Sequence, residues 1–322
     1  MKRRKYQTTT LCLCASVRYL LSNLVLSSLL LLFISCNTFS PIAHRSGAPV
    51  TFTSIEVIEP EWQTFDNGID YFHGKIFSPK LEFWALRVDL TSPQIRIVIK
   101  DGMAANGGAL STKVTTFVRD NNLLAGINAV PFDVSSLIEG QPIQNAGLVI
   151  SDGKILAQAN PRYDAVVFYR DSEKVRAAIV SQSELQSLPA NSPAENIENA
   201  IGGFHQILSG GEPTERTQDA EANPVASARH PRSAAGVSAD GSSLYLLVID
   251  GRRAGSVGAT ERETALLLLS LGAYDGLNLD GGGSSALALR GRNGKVRTVN
   301  TPVQKGLVGV ERAVAGCIGV GD

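Results

Sequence analysis

Residues 278–285 read Asn-Leu-Asp-Gly-Gly-Gly-Ser-Ser, the most distinctive stretch of the chain. It places one carboxylate, Asp280, directly before three consecutive glycines. Glycine weakens regular helices and strands, so three in a row predict a loop with an unusual backbone path. Such a loop can turn its N–H groups toward an anion and lets a ligand approach the main chain. The alternative is a plain Asp-Gly turn followed by solubilising serines.

The residues before this loop predict a well-defined helix. Thr260, with Glu263 three residues later, is a capping-box pattern in front of the apolar run at 261–271. Gly272 follows as a typical carboxyl-terminal cap. Short strands are predicted to enter and leave the glycine loop at 276–279 and 286–289.

Other segments predict a strand-rich fold. Residues 244–249 are apolar throughout, as expected for a central strand, and end at Asp250-Gly251. The segments 83–90 and 95–99 are separated by Thr-Ser-Pro-Gln, which predicts a hairpin between them. A second hairpin is predicted around Asp152-Gly153, and a short helix at 111–120.

The composition is that of a globular chain with a large core. Of its 322 residues, 43% are hydrophobic, and 31 glycines favour a turn-rich fold with many strands. Thirty basic and thirty acidic residues cancel, which argues against a nucleic-acid binder. We therefore expect an α+β fold, with a mixed, strand-rich sheet core and a few helices, in a single compact domain.

The amino-terminal residues predict export. A basic start at 2–5 precedes an apolar run from Tyr19 to Ile34, the pattern of a secretory signal. The run ends at Ser35-Cys36, and residues 32–36 resemble a bacterial lipobox, in which Cys36 would be lipidated and become the new amino terminus. An uncleaved membrane anchor is the alternative, because the run is near the lower length limit for a spanning helix. We expect an exported, membrane-anchored protein of the cell envelope.

The domain boundaries follow from this assignment. Residues 1–36 are the predicted lipoprotein-type signal segment, 37–52 a flexible tether, and 53–322 the folded domain. Once the signal is removed and Cys36 is lipidated, Cys317 is the one cysteine left in the folded part. It lies in an apolar strand-like run, so it is predicted to be a small buried side chain.

Three acids are predicted at the ends of secondary-structure elements. Asp250 and Asp280 each follow a buried strand, and Glu263 lies in the first turn of the predicted helix. Carboxylates at strand ends beside a flexible loop are common positions for catalytic chemistry. Arg229 and Arg232 add positive charge nearby in the sequence.

The chain resembles the phosphodiester glycosidase family. The resemblance covers roughly residues 85 to 320, and its specific part is a series of segments in the family's order. These segments are 232–234, 248–252, 258–265, 271–285, 300–302 and 311–314. The family implies hydrolysis of a sugar 1-phosphodiester or a related glycan linkage. One segment departs from it: the family usually carries Asn-Gly-Gly and an aromatic pair where this chain has Asn-Ala-Val-Pro-Phe-Asp at 128–133.

Chemistry assigns roles to the candidate residues under this resemblance. A phosphate leaving group is a weak base, so the reaction needs a cationic clamp and one carboxylate more than a strong acid. Arg232 suits the clamp, and Asp280 is the predicted acting carboxylate, with Asp250 or Glu263 as its partner. The predicted substrate-binding residues are Asn128, Asn278, Gly281, Gly282, Gly283, Ser284 and Ser285.

Each of these residues also has a structural interpretation. Glu263 could only close its helix cap, Arg232 only form an ion pair, and Asp250 only form its turn. Asn128 and Asn278 could satisfy turn backbone instead of orienting hydroxyls. His205 and His230 lack the spacing of a metal-ligand pair. No cofactor is predicted, although carboxylate oxygens would suit a hard divalent cation.

The expected partners are a glycan or sugar-phosphate substrate and, through the amino terminus, a membrane. Two other function classes stay open at this stage. One is a non-catalytic glycan-binding protein on the same fold, which the altered 129–131 segment keeps under consideration. The other is an accessory factor for assembling cell-surface polysaccharide.

Overall fold

The computed structural model describes residues 59–100, 102, 108–133, 136–171, 174–186, 196–218 and 223–322. The predicted signal segment, Cys36 and the tether lie outside these residues. Within them, the strands up to the middle of the chain are β1 (Gln63–Asp66), β2 (Ile69–Phe77), β3 (Lys80–Asp89), β4 (Arg96–Ile99), β5 (Ala109–Leu110), β6 (Ala125–Asn128), β7 (Pro142–Ile143), β8 (Val149–Ser151), β9 (Lys154–Ala157), β10 (Asp164–Asp171) and β11 (Lys174–Ser181).

The remaining strands carry most of the candidate residues. They are β12 (Ile197–Gly202), β13 (Gln206–Ser209), β14 (Glu212–Pro213), β15 (Arg232–Val237), β16 (Ser243–Ile249), β17 (Asp275–Asn278), β18 (Leu287–Arg290), β19 (Val296–Thr298), β20 (Val303–Gln304), β21 (Leu307–Val308) and β22 (Cys317–Gly321). The α-helices are α1 (Val114–Asp120), α2 (Gln182–Gln186), α3 (Glu215–Gln218), α4 (Pro224–Ser227) and α5 (Glu261–Leu271).

Three larger sheets form the described core. The first has eight strands in the order β1-β2-β3-β16-β15-β17-β13-β14, the second five in the order β11-β10-β12-β8-β9, and the third five in the order β19-β18-β6-β22-β4. All of their strand pairs are antiparallel. This strand-rich arrangement with a few helices confirms the predicted α+β class.

Strand β16 is central, as its apolar sequence predicted. It pairs with β3 on one side and β15 on the other, and Leu244 to Ile249 are buried. Side chains on one face of this sheet join the main core with the other two sheets, whereas those on the other face pack against α5. A residue of this sheet therefore lies either in the core shared by the three sheets or against α5, depending on the face from which its side chain projects.

Helix α5 begins and ends where its local signals predicted. The Thr260 side chain accepts a hydrogen bond from the Glu263 amide, and the Glu263 carboxylate accepts one from the Thr260 amide. Gly272 ends the helix with a φ of 107°, a left-handed conformation that favours glycine. The predicted helix at 111–120 is shorter, because α1 begins at Val114.

The predicted hairpin between 83–90 and 95–99 is wrong. Strand β3 already has a partner on each edge, β2 and β16, so no edge is free for β4. The chain instead crosses to the third sheet, where β4 pairs with β22. The second predicted hairpin is confirmed: β8 and β9 pair across Asp152 and Gly153, which both have positive φ.

Candidate active site

The glycine loop follows β17 directly, and the side chain of one buried asparagine, Asn128, is hydrogen-bonded to its main chain. Asn128 Nδ2 donates to the Asp280 carbonyl oxygen over 2.6 Å, and its Oδ1 accepts from Ser233 Oγ and the Ala286 amide. The Asp280 amide donates to the Ala129 carbonyl over 2.8 Å. Asn128 is fully buried, so in this structure it positions the main chain around Asp280 and does not face solvent.

Asp280 is the candidate acid that reaches the surface. The residue is partly exposed, yet protein atoms crowd its carboxylate. Burial raises the pKa of Asp280 to about 6, against the opposing effects of a Ser284 hydrogen bond, the nearby Arg312 charge and the Gly281 amide. A carboxyl group with this pKa changes charge near neutral pH, as a general acid or base requires.

Two arginines that we did not predict as site residues border the loop. Arg312 donates from Nη1 to Ser284 Oγ over 3.0 Å and from Nε to Gln304 Oε1 over 3.0 Å. Burial lowers the pKa of Arg312, an effect that the charge of Asp280 opposes and that of Arg252 reinforces. Arg252 is exposed and has a φ of 59°, and one of its guanidinium nitrogens lies 2.9 Å from the position a Gly282 Cβ would take.

These arginines explain why the loop needs glycine. A Cβ on Gly283 would lie 2.0 Å from Gln304 Oε1 and 2.5 Å from an Arg312 nitrogen, well inside van der Waals contact. Gly282 has a φ of 64°, which side chains adopt with strain. Glycine at these positions thus lets the side chains of Gln304, Arg312 and Arg252 pack closely against the loop main chain.

The loop amides are mostly used within the protein. Gly282 N donates to the Pro231 carbonyl over 2.8 Å, and Ser284 N and Ser285 N donate to the carbonyls of Gly281 and Gly282. Ser284 and Ser285 are buried. These three amides, which were predicted to turn toward an anion, therefore have protein partners, and the guanidinium groups of Arg252 and Arg312 supply the positive charge beside the loop.

Arg232, the predicted clamp, starts β15 beside Gly281, but its guanidinium group is directed toward α5. Its side chain is buried, and it donates to the carbonyls of Ala259 over 3.0 Å and Ala228 over 2.9 Å. An ion pair of 3.6 Å joins it to Glu261 of α5. Burial lowers the pKa of Arg232, with Glu261 opposing the shift. These contacts match the structural interpretation of Arg232.

Asp250 and Glu263 are also saturated by protein partners. Asp250 is 1% exposed and accepts hydrogen bonds from Arg253, Asn300 Nδ2 and the Thr301 amide. Burial raises the pKa of Asp250, with those partners opposing the shift. Glu263 closes its capping box and pairs with both terminal nitrogens of Arg229. Among the described contacts, no hydrogen bond joins either carboxylate to that of Asp280.

Two of the predicted substrate-binding side chains have unpaired atoms. Asn278 donates to Glu261 over 3.4 Å, but its buried Oδ1 has no hydrogen-bond partner in the described part of the chain. The same holds for Ser285 Oγ, while the Ser285 carbonyl accepts from Asn300. Asn300 therefore connects Asp250 to the end of the glycine loop, so Asp250 stabilises the loop indirectly, through Asn300.

The altered segment opposite the loop is packed into the core. Ala129 and Val130 are buried, and Val130 touches the position where a Gly316 Cβ would lie. The side chains that replace the family's glycines thus occupy core volume. A large cavity of about 660 Å³ lies elsewhere, between β4 and β12, and none of the predicted site residues lines it. No cluster of three or more metal-ligating His, Cys, Asp or Glu side chains occurs among the described residues.

Comparison with known proteins identifies the family. A family model described as phosphodiester glycosidase matches residues 121–321. The chain belongs to the phosphodiester glycosidase family. The match includes Asn128, the glycine loop, Arg252 and Arg312, so all of the loop contacts described above lie within the family domain.

Solved structures show the same fold at low identity. The catalytic domain of zebrafish N-acetylglucosamine-1-phosphodiester alpha-N-acetylglucosaminidase, auto-inhibited by its pro-peptide, is 18% identical with a TM-score of 0.59; the match covers 82% of this chain and 89% of that one. A protein from Burkholderia pseudomallei K96243 that is described as exported is 16% identical with a TM-score of 0.57, over 76% of this chain and 74% of that one.

One curated relative matches over a short region. The SPbeta prophage-derived uncharacterized protein YomE of Bacillus subtilis (strain 168) is 42% identical over 64 residues, which is 20% of this chain. This chain spans only a tenth of that protein's length. In the described residues, no helix is both long enough and apolar enough to cross a membrane.

Arg252 and Arg312 were not predicted as site residues, although each lies in a segment that resembles the family. Arg252 directly follows Asp250-Gly251 at the end of the central strand, and Arg312 lies in the family-like segment 311–314. Both positions were therefore visible as candidates. The sequence could not show that their guanidinium groups reach the glycine loop, whereas that of Arg232 points to α5.

Proposed function

We propose that this phosphodiester glycosidase family member hydrolyses a sugar 1-phosphodiester or a related glycan linkage at the cell envelope. The observation that supports it best is a single glycine loop that begins with Asp280, a carboxyl group of pKa about 6, and is bordered by the guanidinium groups of Arg252 and Arg312. A carboxylate for proton transfer and a fixed cationic surface for phosphate are the two features that this reaction needs.

The proposed reaction assigns one role to each group. Arg252 and Arg312 bind the phosphate oxygens, because planar guanidinium groups match phosphate geometry and stay charged at all physiological pH values. Asp280 in its ionised form takes a proton from water as the water oxygen bonds to the anomeric carbon. The bond from that carbon to the phosphate oxygen breaks, and its electron pair leaves with the phosphate monoester, a weak base that needs little protonation.

The test is turnover of synthetic sugar 1-phosphodiesters by the purified full chain. We expect kcat/KM to rise as the pH increases through about 6, because Asp280 must lose its proton to act as a base. Asp280→Asn should lower kcat by roughly 10²- to 10⁴-fold. Asp120→Asn, at an exposed ion pair on α1, is the matched control and should leave kcat unchanged.

Two results would contradict the proposal. One is a pH profile without a step near 6 in an enzyme that does turn over. The other is saturable glycan binding with no turnover of any diester, which would favour the non-catalytic glycan-binding alternative.

The envelope location is proposed separately, on the lipobox-like residues 32–36 and on the structural relative that is described as exported. A radiolabelled fatty acid supplied to expressing cells should be incorporated into the protein, and Cys36→Ala should abolish that incorporation. Label that persists in the variant would overturn the lipid anchor.

A further inference from the structure

Two segments linked by hydrogen bonds to Arg312 or to its neighbour Ala313 carry exposed apolar side chains. At the β20–β21 hairpin, Leu307 and Val308 are 53% and 61% exposed. On a different loop, Leu137 and Ile138 are 40% and 66% exposed. Single exposed apolar side chains are ordinary, but adjacent exposed pairs on two loops that are both linked to the Arg312 region favour a surface that contacts something apolar.

Hydrogen bonds of Arg312 and of its neighbour Ala313 reach the two segments. Gln304, which pairs with Leu307 across the hairpin, accepts hydrogen bonds from the Arg312 guanidinium group. On the other side, the amide of Ala313, next to Arg312 in the chain, donates to the Ser136 carbonyl over 3.1 Å. The main chain that carries these apolar side chains is therefore hydrogen-bonded to Arg312 through Gln304 and to Ala313 through Ser136.

Positively charged groups lie near the hairpin, whereas the carboxylates next to these segments, Glu139 and Glu311, accept hydrogen bonds from α1 and the residues before it. Arg312 and Arg252 lie at the glycine loop, and Lys305 is exposed at the turn of the hairpin itself. A cationic group beside exposed aliphatic side chains is complementary to an amphiphile with a phosphate head and a hydrocarbon chain. A purely polar diester would leave the apolar pairs without a partner.

We propose that the loops carrying Leu137-Ile138 and Leu307-Val308 form a subsite for an aliphatic aglycone. The substrate class is then a sugar–phosphate diester whose second ester group is a lipid chain. This inference rests on the proposed function for the identity of the phosphate site, and it adds the chemical class of the group that is esterified to the phosphate opposite the sugar.

The test measures binding of three probes to the full chain by titration calorimetry, with each probe below its critical micelle concentration. Decyl phosphate combines the head and the chain, ethyl phosphate has the head alone, and decyl maltoside has the chain alone. We expect decyl phosphate to bind at least about tenfold more tightly than either of the others, since burial of a few methylene groups suffices for that factor.

The double variant Leu307→Ser/Val308→Ser should reduce the affinity for decyl phosphate about tenfold and that for ethyl phosphate less than twofold. Because these side chains are exposed, the variant should keep the wild-type melting temperature, which checks its folding. Ile155→Ser, an exposed apolar side chain on β9, is the matched control and should keep the full affinity for decyl phosphate.

Equal affinity for decyl and ethyl phosphate would overturn the subsite. So would equal affinity for decyl phosphate and decyl maltoside, or a chain-length effect that survives serine substitution of both apolar pairs. Failure of the proposed function is distinguishable, because it appears as absence of turnover on every sugar diester while chain-dependent binding of decyl phosphate persists.

Discussion

At the scale of single residues, Asp280 links the proposed activity to a cost in stability. Its pKa in the folded protein is about 6, above the ordinary value of 3.8, because burial disfavours the charged form. Between about pH 4 and 6, the folded protein keeps a proton that the unfolded chain has lost. The free energy of unfolding contributed by this group therefore falls as the pH rises through that window.

Asp280→Asn removes this titration and tests the argument. Relative to the variant, the wild type should lose at most about 3 kcal/mol of stability between roughly pH 4 and pH 7, which corresponds to a shift of about two pKa units. Urea denaturation of both proteins across this range measures the difference. If the difference in the free energy of unfolding between the two proteins does not change with pH, the pKa of Asp280 in the folded protein is ordinary.

Gln304 is the residue that positions Arg312. It is 2% exposed, and its single side-chain oxygen accepts from both Nε and Nη2 of the guanidinium group. Gln304→Leu removes the acceptor, so Arg312 loses its fixed orientation toward Ser284 and the phosphate position. We expect KM for a sugar diester to rise about tenfold with a smaller change in kcat, since a hydrogen bond to a charged group contributes about 1.5–3 kcal/mol.

The control for this variant is Gln63→Leu on the exposed edge strand β1. A Gln304→Leu enzyme whose KM and kcat both match the wild type would show that Arg312 does not contact the substrate. A loss of kcat alone, with KM unchanged, would place Arg312 in the chemical step and not in binding.

At the scale of elements, helix α5 shows which features the sequence could predict. Its start and end are set by Thr260, Glu263 and Gly272, all within one turn of the boundary they define. The β8–β9 hairpin was predictable for the same reason, because its turn residues act locally. The partner of β4 was not, since it depends on β2 and β16 having already occupied both edges of β3.

For the candidate active site too, local features could be predicted from the sequence and long-range contacts could not. Asp280 and its glycine loop are contiguous in sequence, so the motif was evident. The direction of an arginine side chain depends on the tertiary structure around it: Arg232 on β15 lies against Glu261 of α5, whereas Arg252 and Arg312, on loops, reach the glycine loop. Contacts between residues this far apart in the sequence are not encoded in local patterns.

The capping contacts of α5 predict that Glu263 acts on stability. Glu263→Ala removes the capping box and leaves the partly buried Arg229 without its carboxylate, which should cost about 2–3 kcal/mol in the free energy of unfolding. Below its melting temperature, the variant should keep the wild-type kcat. A double-mutant cycle with Arg229→Ala separates the ion pair from the cap, and a large loss of kcat in the folded variant would instead make Glu263 catalytic.

At the scale of the whole molecule, the site lies where two of the sheets meet. Asn128 ends β6 of the third sheet, accepts from Ser233 on β15 of the first sheet, and donates to the carbonyl of Asp280. It also accepts from the Ala286 amide, just before β18. One fully buried side chain thus connects both sheets to the loop that carries the proposed catalytic acid.

Asn128→Ala should therefore impair both folding and activity. The substitution leaves the Asp280 carbonyl, the Ser233 hydroxyl and the Ala286 amide buried without that partner, and each such group costs about 1–3 kcal/mol. We expect a loss of at least about 3 kcal/mol in the free energy of unfolding, measured by denaturation. In the fraction that remains folded, kcat should fall because Asp280 is no longer held in place.

Asn293→Ala, which removes one exposed turn hydrogen bond to Lys295, is the matched control and should change stability by less than about 1 kcal/mol. Asn128→Asp adds a second comparison, because it keeps the acceptor for Ser233 and Ala286 but replaces the donor to the Asp280 carbonyl with a second buried acid. If Asn128 acts by holding the loop, both variants lose kcat, and Asn128→Asp loses it even where it remains folded. A folded Asn128→Ala protein with wild-type kcat would show that the sheet junction holds Asp280 without this side chain.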